Sequence, residues 1–169
     1  MGFEVPLEML AACHGRMTAQ LATLRRLDAH LAQHGADPAA QEAAIAVMRY
    51  FDLAAPHHHA DEEQDLFPAL IESMAGSDAV CLRELTAALA ADHRALEAAW
   101  QRLRRGLQPL AAGDASAWHT GDAADFIDCH ERHIAREDAE LLPMAQRLLG
   151  DAELDRIGRA MRARRDTAR

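Results

Sequence analysis

The chain has 169 residues, the size of one compact domain, and 50% of them are hydrophobic, which excludes extensive intrinsic disorder. Its formal net charge is −9 and it contains no lysine, so we expect no nucleic-acid partner. It has no apolar stretch long enough to cross a membrane and no leader pattern at its start, so we expect no membrane partner and a cytoplasmic location.

The cysteines are interpreted as packing residues, whereas the number of histidines suggests a chemical role. Cys13, Cys81 and Cys129 are an odd number of widely spaced thiols, which favours reduced packing residues over a disulfide framework. In contrast, ten histidines stand beside only seven aromatic Phe, Trp and Tyr residues. The histidines therefore need a chemical explanation.

The first predicted helix runs from about Pro6 to Gln33. Pro6 suits its first turn, and Gly35 is placed to end it in a left-handed conformation. Apolar residues recur every three or four positions along one face, together with His14. That apolar face consists of Leu7, Leu10, Met17, Leu21, Leu24 and Leu31.

The second predicted helix runs from about Pro38 to Met74, with Asp37 as its N-cap. Pro56 and Pro68 interrupt its hydrogen-bonding pattern, so we expect kinks there. Its inward face is predicted to carry Ile45, Met48, Phe51, Ala55, His58, Glu62 and Leu66.

A turn at Gly76-Ser77-Asp78 leads into the third predicted helix, which ends near Gly106 to Pro109. Its periodic positions again include one histidine. The predicted inward face is Leu82, Leu85, Leu89, His93, Leu96, Trp100, Leu103 and Leu107.

A loop from Pro109 to Gly121 precedes the fourth predicted helix, which ends at Gly150. Its inward face is predicted to carry Phe126, His130, His133, Glu137, Leu141, Met144 and Leu148. Asp151 is then expected to cap a short fifth helix that covers the bundle and ends in a solvated, arginine-rich tail.

These elements predict an all-α fold, because strand-forming Val and Ile are scarce and Ala, Leu, Glu, Gln and Arg dominate. Four long helices joined by short turns pack most simply as an antiparallel up-down four-helix bundle. We expect one domain over residues 1–169, with the bundle at about 6–149 and the C-terminal helix and tail at about 151–169.

An internal repeat supports this architecture. His58-x-x-x-Glu62 followed by Leu66-Phe67-Pro68 recurs 75 residues later as His133-x-x-x-Glu137 followed by Leu141-Leu142-Pro143. The single histidines of the first and third helices, His14 and His93, are separated by 79 residues. Each helical hairpin thus contributes one lone histidine and one His-x-x-x-Glu motif, which implies pseudo-twofold symmetry.

Six polar residues on the apolar faces carry the functional prediction. A buried glutamate without a partner costs several kcal/mol, so two of them require compensation. Residues four apart on a helix share a face, so each His-x-x-x-Glu motif can offer an imidazole and a carboxylate to one centre. The predicted metal ligands are His14, His58, Glu62, His93, His133 and Glu137.

The donor types favour a dinuclear iron or manganese site. With two bridging carboxylates and two imidazoles for each metal, coordination positions remain for a bridging oxygen species and an external ligand. Zinc fits the same donors, and affinity alone would favour zinc over iron(II).

This pattern resembles the hemerythrin-like HHE cation-binding family over about residues 7–149. The segments His58-His59-Ala60-Asp61-Glu62-Glu63 and His133-Ile134-Ala135-Arg136-Glu137 are similar to the two signature helices of that family. The resemblance implies a four-helix bundle that holds two iron ions, oxo- or hydroxo-bridged, and meets dioxygen, nitric oxide or peroxide. Oxygen-carrying hemerythrins place a second histidine four residues after the one on the third helix, where this chain has Glu97.

The resemblance implies a protein that binds or senses dioxygen or nitric oxide, with Glu62 and Glu137 as bridges. An enzyme that turns over peroxide or nitric oxide, or that repairs iron centres, is the alternative. A metal-free interaction module is a third interpretation, and it would require protonated or internally paired carboxylates.

Several residues near the six predicted ligands are further candidates for the site. His59 with Glu63 is the second possible register of the first motif, because adjacent residues on a helix point about 100° apart. Glu97 and His130 lie beside the apolar faces, where surface pairing or packing is the simpler role. Tyr50 is two turns before His58 and is interpreted as an ordinary bundle residue.

Overall fold

A computed structural model describes residues 6–74 and 78–167 and confirms the predicted all-α fold, since these ranges form helices and contain no strand. The predicted turn at Gly76 and Ser77, the first five residues and the last two lie outside the described residues. None of the helices in those ranges is long and apolar enough to cross a bilayer. The helices are α1 (Pro6–His34), α2 (Pro38–Ala60), α3 (Phe67–Ser73), α4 (Asp78–Ala111), α5 (Thr120–Arg136), α6 (Leu142–Leu148) and α7 (Asp151–Asp166).

The junction between α1 and α2 follows the predicted chemistry. Gly35 has φ +64°, the left-handed conformation that ends a helix at little cost for glycine. Asp37 Oδ1 accepts a hydrogen bond of 2.9 Å from the backbone N–H of Ala40, so Asp37 is the N-cap. Pro38 is the first residue of α2, as predicted.

Two other helix ends differ from the prediction. Helix α4 continues beyond Pro109 to Ala111, because Leu110 is fully buried and its packing outweighs the hydrogen bond lost at the proline. The expectation that Asp151 caps α7 is wrong. Gly150 is the N-cap, and its carbonyl accepts the N–H of Leu154 at 3.0 Å.

A π-helical segment lies where a kink was expected at Pro68, and a second one, which was not expected, precedes Pro143. The segment π1 (Asp61–Leu66) joins α2 to α3, and π2 (Glu137–Leu141) joins α5 to α6. Each is followed by a proline at the second position of the next helix, Pro68 or Pro143. A proline ring clashes with the carbonyl four residues before it, so a widened turn relieves the clash. Pro56, in contrast, lies inside α2.

Segment π2 changes which residues after it are buried. A regular helix would continue the inward face to Met144 and Leu148, which are only partly buried. Instead Ala145, one position after Met144, is buried. Leu149 is also buried, but it follows the end of α6 and has an extended backbone. A π turn holds one extra residue, so the face that follows it shifts by one position.

The chain divides into two compact units. The first consists of Met1–His14, Pro56–His93 and His133–Arg169. Within it, Ile157 and Met161 of α7 join a core with Leu10, Leu66 and Leu70. Burying each such side chain contributes about 1.5–3 kcal/mol, so α7 is an integral part of this unit.

The second unit consists of Gly15–Ala55 and Arg94–Arg132. Phe51 lies at its centre, with ring centroids 5.2 Å from Trp100 and 5.0 Å from Phe126. The indole N–H of Trp100 donates to Asp52, which also pairs with Arg104. The polar N–H of the buried Trp100 ring is therefore satisfied by a carboxylate at the edge of this aromatic core.

The prediction that Ile45 faces inward is wrong, since this side chain is 44% exposed. Ala44 and Val47 are fully buried in its place. Both positions lie on the same helical face as Phe51. The helix was therefore predicted correctly, but its buried face was assigned to the wrong residues in this segment.

Candidate metal centre

The structure brings all six sequence-predicted residues together within the first unit. Each is 4% exposed or less. Their donor atoms form two groups in which all atoms lie within 4.8 Å of one another. Group one is His14, His58, Glu62 and Glu137, and group two is Glu62, His93, His133 and Glu137. Both glutamates belong to both groups.

Glu137 faces both groups with different oxygen atoms. Its Oε2 lies 3.1 Å from Nε2 of His14 and 3.9 Å from Nε2 of His58. Its Oε1 lies 3.0 Å from Nε2 of His133 and 3.7 Å from Nε2 of His93. One carboxylate therefore separates four imidazoles into two pairs.

Glu62 divides in the same way. Its Oε1 lies 3.4 Å from Nε2 of His58, and its Oε2 lies 3.2 Å from Nε2 of His93. Two carboxylates that each present one oxygen to each group are arranged as bridges between two adjacent positions.

The outer ring nitrogens of three histidines face carboxylates. Nδ1 of His14 donates to Asp138 at 2.7 Å, and Nδ1 of His93 donates to Glu63 at 2.7 Å. Nδ1 of His133 lies 3.5 Å from Asp92. A proton on Nδ1 fixes the tautomer in which Nε2 carries its lone pair, the form that binds a metal.

The sequence analysis missed these orienting carboxylates, although the repeat contains a signal for two of them. Glu63 and Asp138 each follow the glutamate of a His-x-x-x-Glu motif and are 75 residues apart. Each pairs with the lone histidine contributed by the other helical hairpin. An acidic residue kept at both equivalent positions indicates a shared role, which the structure shows to be histidine orientation.

The sequence analysis also missed the role of Asp61, which lies one residue before Glu62. Asp61 is fully buried and binds two arginines of α7. Its Oδ1 accepts from Arg164, and its Oδ2 accepts from Arg165 at 2.6 Å. Arg164 also binds Asp65 at 2.7 Å. The expectation of a wholly solvated arginine tail is therefore wrong for these two residues, because they neutralise a buried carboxylate.

His14, His58 and His93 have pKa values above that of an ordinary histidine side chain. Burial opposes protonation of His93, but contacts with Glu137, Glu62 and Glu63 outweigh it and raise its pKa to about 9. Burial likewise opposes protonation of His58, whereas the charge of Glu62 and contact with Cys13 raise its pKa well above the ordinary value. The metal-free site is therefore a proton-rich cluster at neutral pH.

The two glutamates titrate in opposite directions. Burial raises the pKa of Glu62. Burial also disfavours ionisation of Glu137, but the imidazoles of His133, His14, His58 and His93 surround it and hold its pKa well below the ordinary value. Glu137 is thus the principal negative charge at the centre of the cluster.

The contacts of Glu62 and Glu137 with the imidazoles are close but do not have the geometry of hydrogen bonds. In the described part of the chain, neither oxygen of Glu62 or Glu137 takes part in a hydrogen bond of good geometry, nor does Nε2 of His93 or His133. Buried polar atoms are normally satisfied, so such convergence needs a partner at its centre. Imidazole and carboxylate donors fit a divalent cation in that place.

The raised pKa values predict how the metal-free protein responds to pH. The pKa of His93 is about 9 in the folded chain against 6.5 in an unfolded one, so its contribution to stability is complete below pH 6.5. The melting temperature of chelator-treated protein is expected to fall as pH rises from 6.5 through 9. Thermal melts across this range provide the measurement, and a melting temperature that rises instead would contradict the expectation.

The alternative pairing of His59 with Glu63 does not form the centre of the cluster, which contains His58 and Glu62 instead. Glu62 lies fully buried between the two groups, whereas Glu63 is partly exposed and binds Nδ1 of His93. His59 nevertheless reaches the cluster, because its ring stacks on that of His93 with centroids 3.9 Å apart. It forms a third group of potential donors with His93 and His133.

Glu97, His130 and Tyr50 have packing or surface contacts in the second unit. Glu97 accepts a hydrogen bond of 2.7 Å from a glutamine side chain at an exposed position. His130 packs against Phe126 with ring centroids 4.5 Å apart. Tyr50 makes an edge contact with Phe51 at 5.2 Å. These contacts agree with the simpler roles expected for the three residues.

Two comparisons with known proteins extend this description. A family model described as the hemerythrin HHE cation binding domain matches residues 5–145. An uncharacterized protein of Haemophilus influenzae is 32% identical over 160 residues, covering 95% of this chain and 90% of the relative. The range matched by the family model includes all six residues of the two groups.

Proposed function

Because the chain belongs to the hemerythrin HHE cation-binding family, we propose that it holds two iron ions and binds or senses dioxygen or nitric oxide. The observation that carries this proposal is the placement of Glu62 and Glu137, each with one oxygen toward each pair of histidines. In the proposal these glutamates bridge the ions, and His14, His58, His93 and His133 are terminal ligands.

The donor set supports iron. Both groups consist of imidazole and carboxylate donors and contain no thiolate, which suits iron or manganese better than copper(I). Zinc binds the same donors, so the assignment to iron also requires that the cell supplies iron to this site. When bound, iron at such a site supplies reversible coordination of small diatomic molecules and redox chemistry.

The chain's own residues prepare the site for this role. Asp138 and Glu63 hold the rings of His14 and His93 through their outer nitrogens, so the inner nitrogens point to the centre before any ion arrives. Complete burial of both glutamates excludes bulk water and strengthens their attraction for a cation. Such preorganisation favours binding without a large rearrangement of the helices.

Metal analysis tests the proposal directly. Protein purified without oxygen and without an affinity tag is expected to contain about two irons per chain by mass spectrometry. Because only the folded state gathers ligands from distant segments, metal removal by a chelator is expected to lower the melting temperature. Protein that takes up no divalent metal and melts identically with and without chelator would overturn the proposal.

Exposure of the iron-loaded protein to dioxygen and then to nitric oxide tests the ligand. A visible spectrum that changes and reverts when the gas is removed supports binding or sensing. Continued consumption of the gas or of peroxide would overturn a purely binding role and assign an enzymatic one.

A further inference from the structure

We infer that the ion pairs between α7 and π1 hold the proposed bridging residue Glu62 in place at the metal centre. These pairs are formed by Asp61, Arg164 and Arg165. None of the three belongs to group one or group two, so they are positioning residues that act through Glu62. The inference rests on the proposed function, since Glu62 is held here as a metal ligand, and it extends that function to the C-terminal helix.

Asp61 ties the start of π1 to α7. Its side chain is fully buried, and each of its two carboxylate oxygens accepts a hydrogen bond from a different arginine. Guanidinium groups are planar and charged, so their hydrogen bonds to a carboxylate are strong and directional. A carboxylate held at both oxygens cannot turn without breaking one of these bonds. The backbone next to Glu62 is therefore fixed relative to α7.

The same helix also holds the end of π1. Arg164 donates to Oε1 of Gln64 at 3.1 Å and to Oδ2 of Asp65 at 2.7 Å. Asp61 precedes Glu62 in the chain, whereas Gln64 and Asp65 follow it. Glu62 thus lies between two points of attachment to α7, while its own carboxylate faces the imidazoles.

Glu62 depends on such support more than Glu137 does. In the described part of the chain, neither carboxylate makes a hydrogen bond of good geometry. Four imidazoles approach Glu137 at 3.0–3.9 Å, whereas those of His58 and His93 lie 3.4 and 3.2 Å from Glu62. A π-helical turn is rare in proteins, so a segment in this conformation relies on contacts outside itself. The position of Glu62 is therefore set by the backbone of π1 and by the helix that holds it.

Docking of α7 and metal binding are linked through these ion pairs. Loss of the pairs frees π1 and weakens metal binding, although neither arginine contacts an ion. The linkage is reciprocal, because a free energy that couples two equilibria acts equally on both. A bound ion that fixes Glu62 is therefore expected to hold the end of α7 more firmly against π1.

Cobalt(II) titration of the metal-free full-length protein tests the inference, because the visible spectrum of cobalt reports its binding. The informative variant combines Arg164→Ala with Arg165→Ala. Ile157 and Met161 still anchor α7 in the hydrophobic core of this variant. Arg165→Ala alone is the second variant, should the double variant fail to fold.

Two control variants separate positioning from other effects. Arg162→Ala removes an exposed arginine from the same helix. Phe126→Leu lowers stability through the aromatic core of the second unit and leaves every residue of π1 unchanged. Titration well below the melting temperature of each variant keeps the samples folded, so a change in affinity does not reflect a change in the folded fraction.

The wild-type protein and both controls are expected to bind cobalt with equal affinity. The double variant is expected to bind it at least about tenfold more weakly, and Arg165→Ala alone at least about threefold. Unchanged affinity in the arginine variants, or an equal loss in Phe126→Leu, would overturn the inference and leave the proposed function standing. A wild-type protein that binds no cobalt would overturn the proposed function, and the inference with it.

Amide hydrogen exchange provides the reciprocal measurement. Addition of cobalt to the wild-type protein is expected to slow exchange at the end of α7, because the bound ion holds π1 against this helix. In the arginine variants the same addition is expected to leave the exchange of α7 unchanged. Exchange that does not respond to cobalt in the wild-type protein, or that slows equally in the variants, would contradict the linkage.

Discussion

Replacing Glu137 by glutamine is expected to abolish stable metal binding at both positions. Glu137 is fully buried, and its two oxygens together approach all four histidines at 3.0–3.9 Å. Glutamine keeps the size of the side chain but removes the negative charge and the ability to bridge two cations. We expect each ion to bind at least about a hundredfold more weakly, measured by metal content after dialysis and by cobalt(II) titration.

The matched control for this change is Glu140→Gln, in the same π-helical segment. Glu140 is 54% exposed and pairs only loosely with Arg136, at 3.7 Å. It carries the same charge and undergoes the same chemical change, so it is expected to keep the full metal content. Equal retention of metal by the two variants would show that Glu137 is not the bridging group.

Replacing Asp61 by asparagine is expected to lower the stability of the fold, although Asp61 is not a proposed metal ligand. Asp61→Asn removes the charge that two arginines of α7 neutralise, while Asp61 itself is fully buried. Breaking a buried ion pair costs about 3–5 kcal/mol, and partial exposure of the arginines favours the lower end of that range. For a chain of this size a loss of about 3 kcal/mol lowers the melting temperature by about 6–12 °C.

A double-mutant cycle separates this pairing from other effects of the substitution. Once Arg165→Ala has removed one partner, Asp61→Asn is expected to cost less than it does in the wild-type background. Arg162→Ala is the control on the same helix, since Arg162 is exposed and its loss is expected to change stability by less than about 0.5 kcal/mol. Additive effects of Asp61→Asn and Arg165→Ala would show that the two residues are not coupled.

The convergence of the six buried His and Glu residues could be predicted because helical periodicity and the repeat identify the same positions. His93 follows Leu89 and precedes Leu96 on a face of regular spacing, so its inward direction can be read directly from the sequence. The second motif repeats His58 and Glu62 at a constant offset, which makes an accidental pattern improbable. Local geometry thus determined which side chains point inward.

The π-helical segments could not be predicted in this way. A π turn adds one residue without changing the composition of the sequence around it, so the apolar pattern still reads as a regular helix. Ala145 is buried in place of Met144 for this reason. The signals present are Pro68 and Pro143, and a proline indicates a disturbance of the helix without specifying its form.

The orienting and neutralising carboxylates were missed for a different reason. His14 and Asp138 are 124 residues apart, and Asp61 and Arg165 are 104 residues apart. Periodicity specifies the face on which a side chain lies but not which distant side chain it meets. The partners of Asp61 and Asp138 therefore depend on the fold and could not be predicted from helical periodicity.

The contacts of Asp61 also determine where the C-terminal helix can attach. In the second copy of the motif the position of Asp61 is occupied by Arg136, a reversal of charge within an otherwise matched pair of segments. A helix carrying Arg164 and Arg165 would meet repulsion there instead of attraction. The protein thus has two similar motifs but one docking site for α7, and the charge at the position of Asp61 and Arg136 distinguishes that site from the equivalent surface of the second motif.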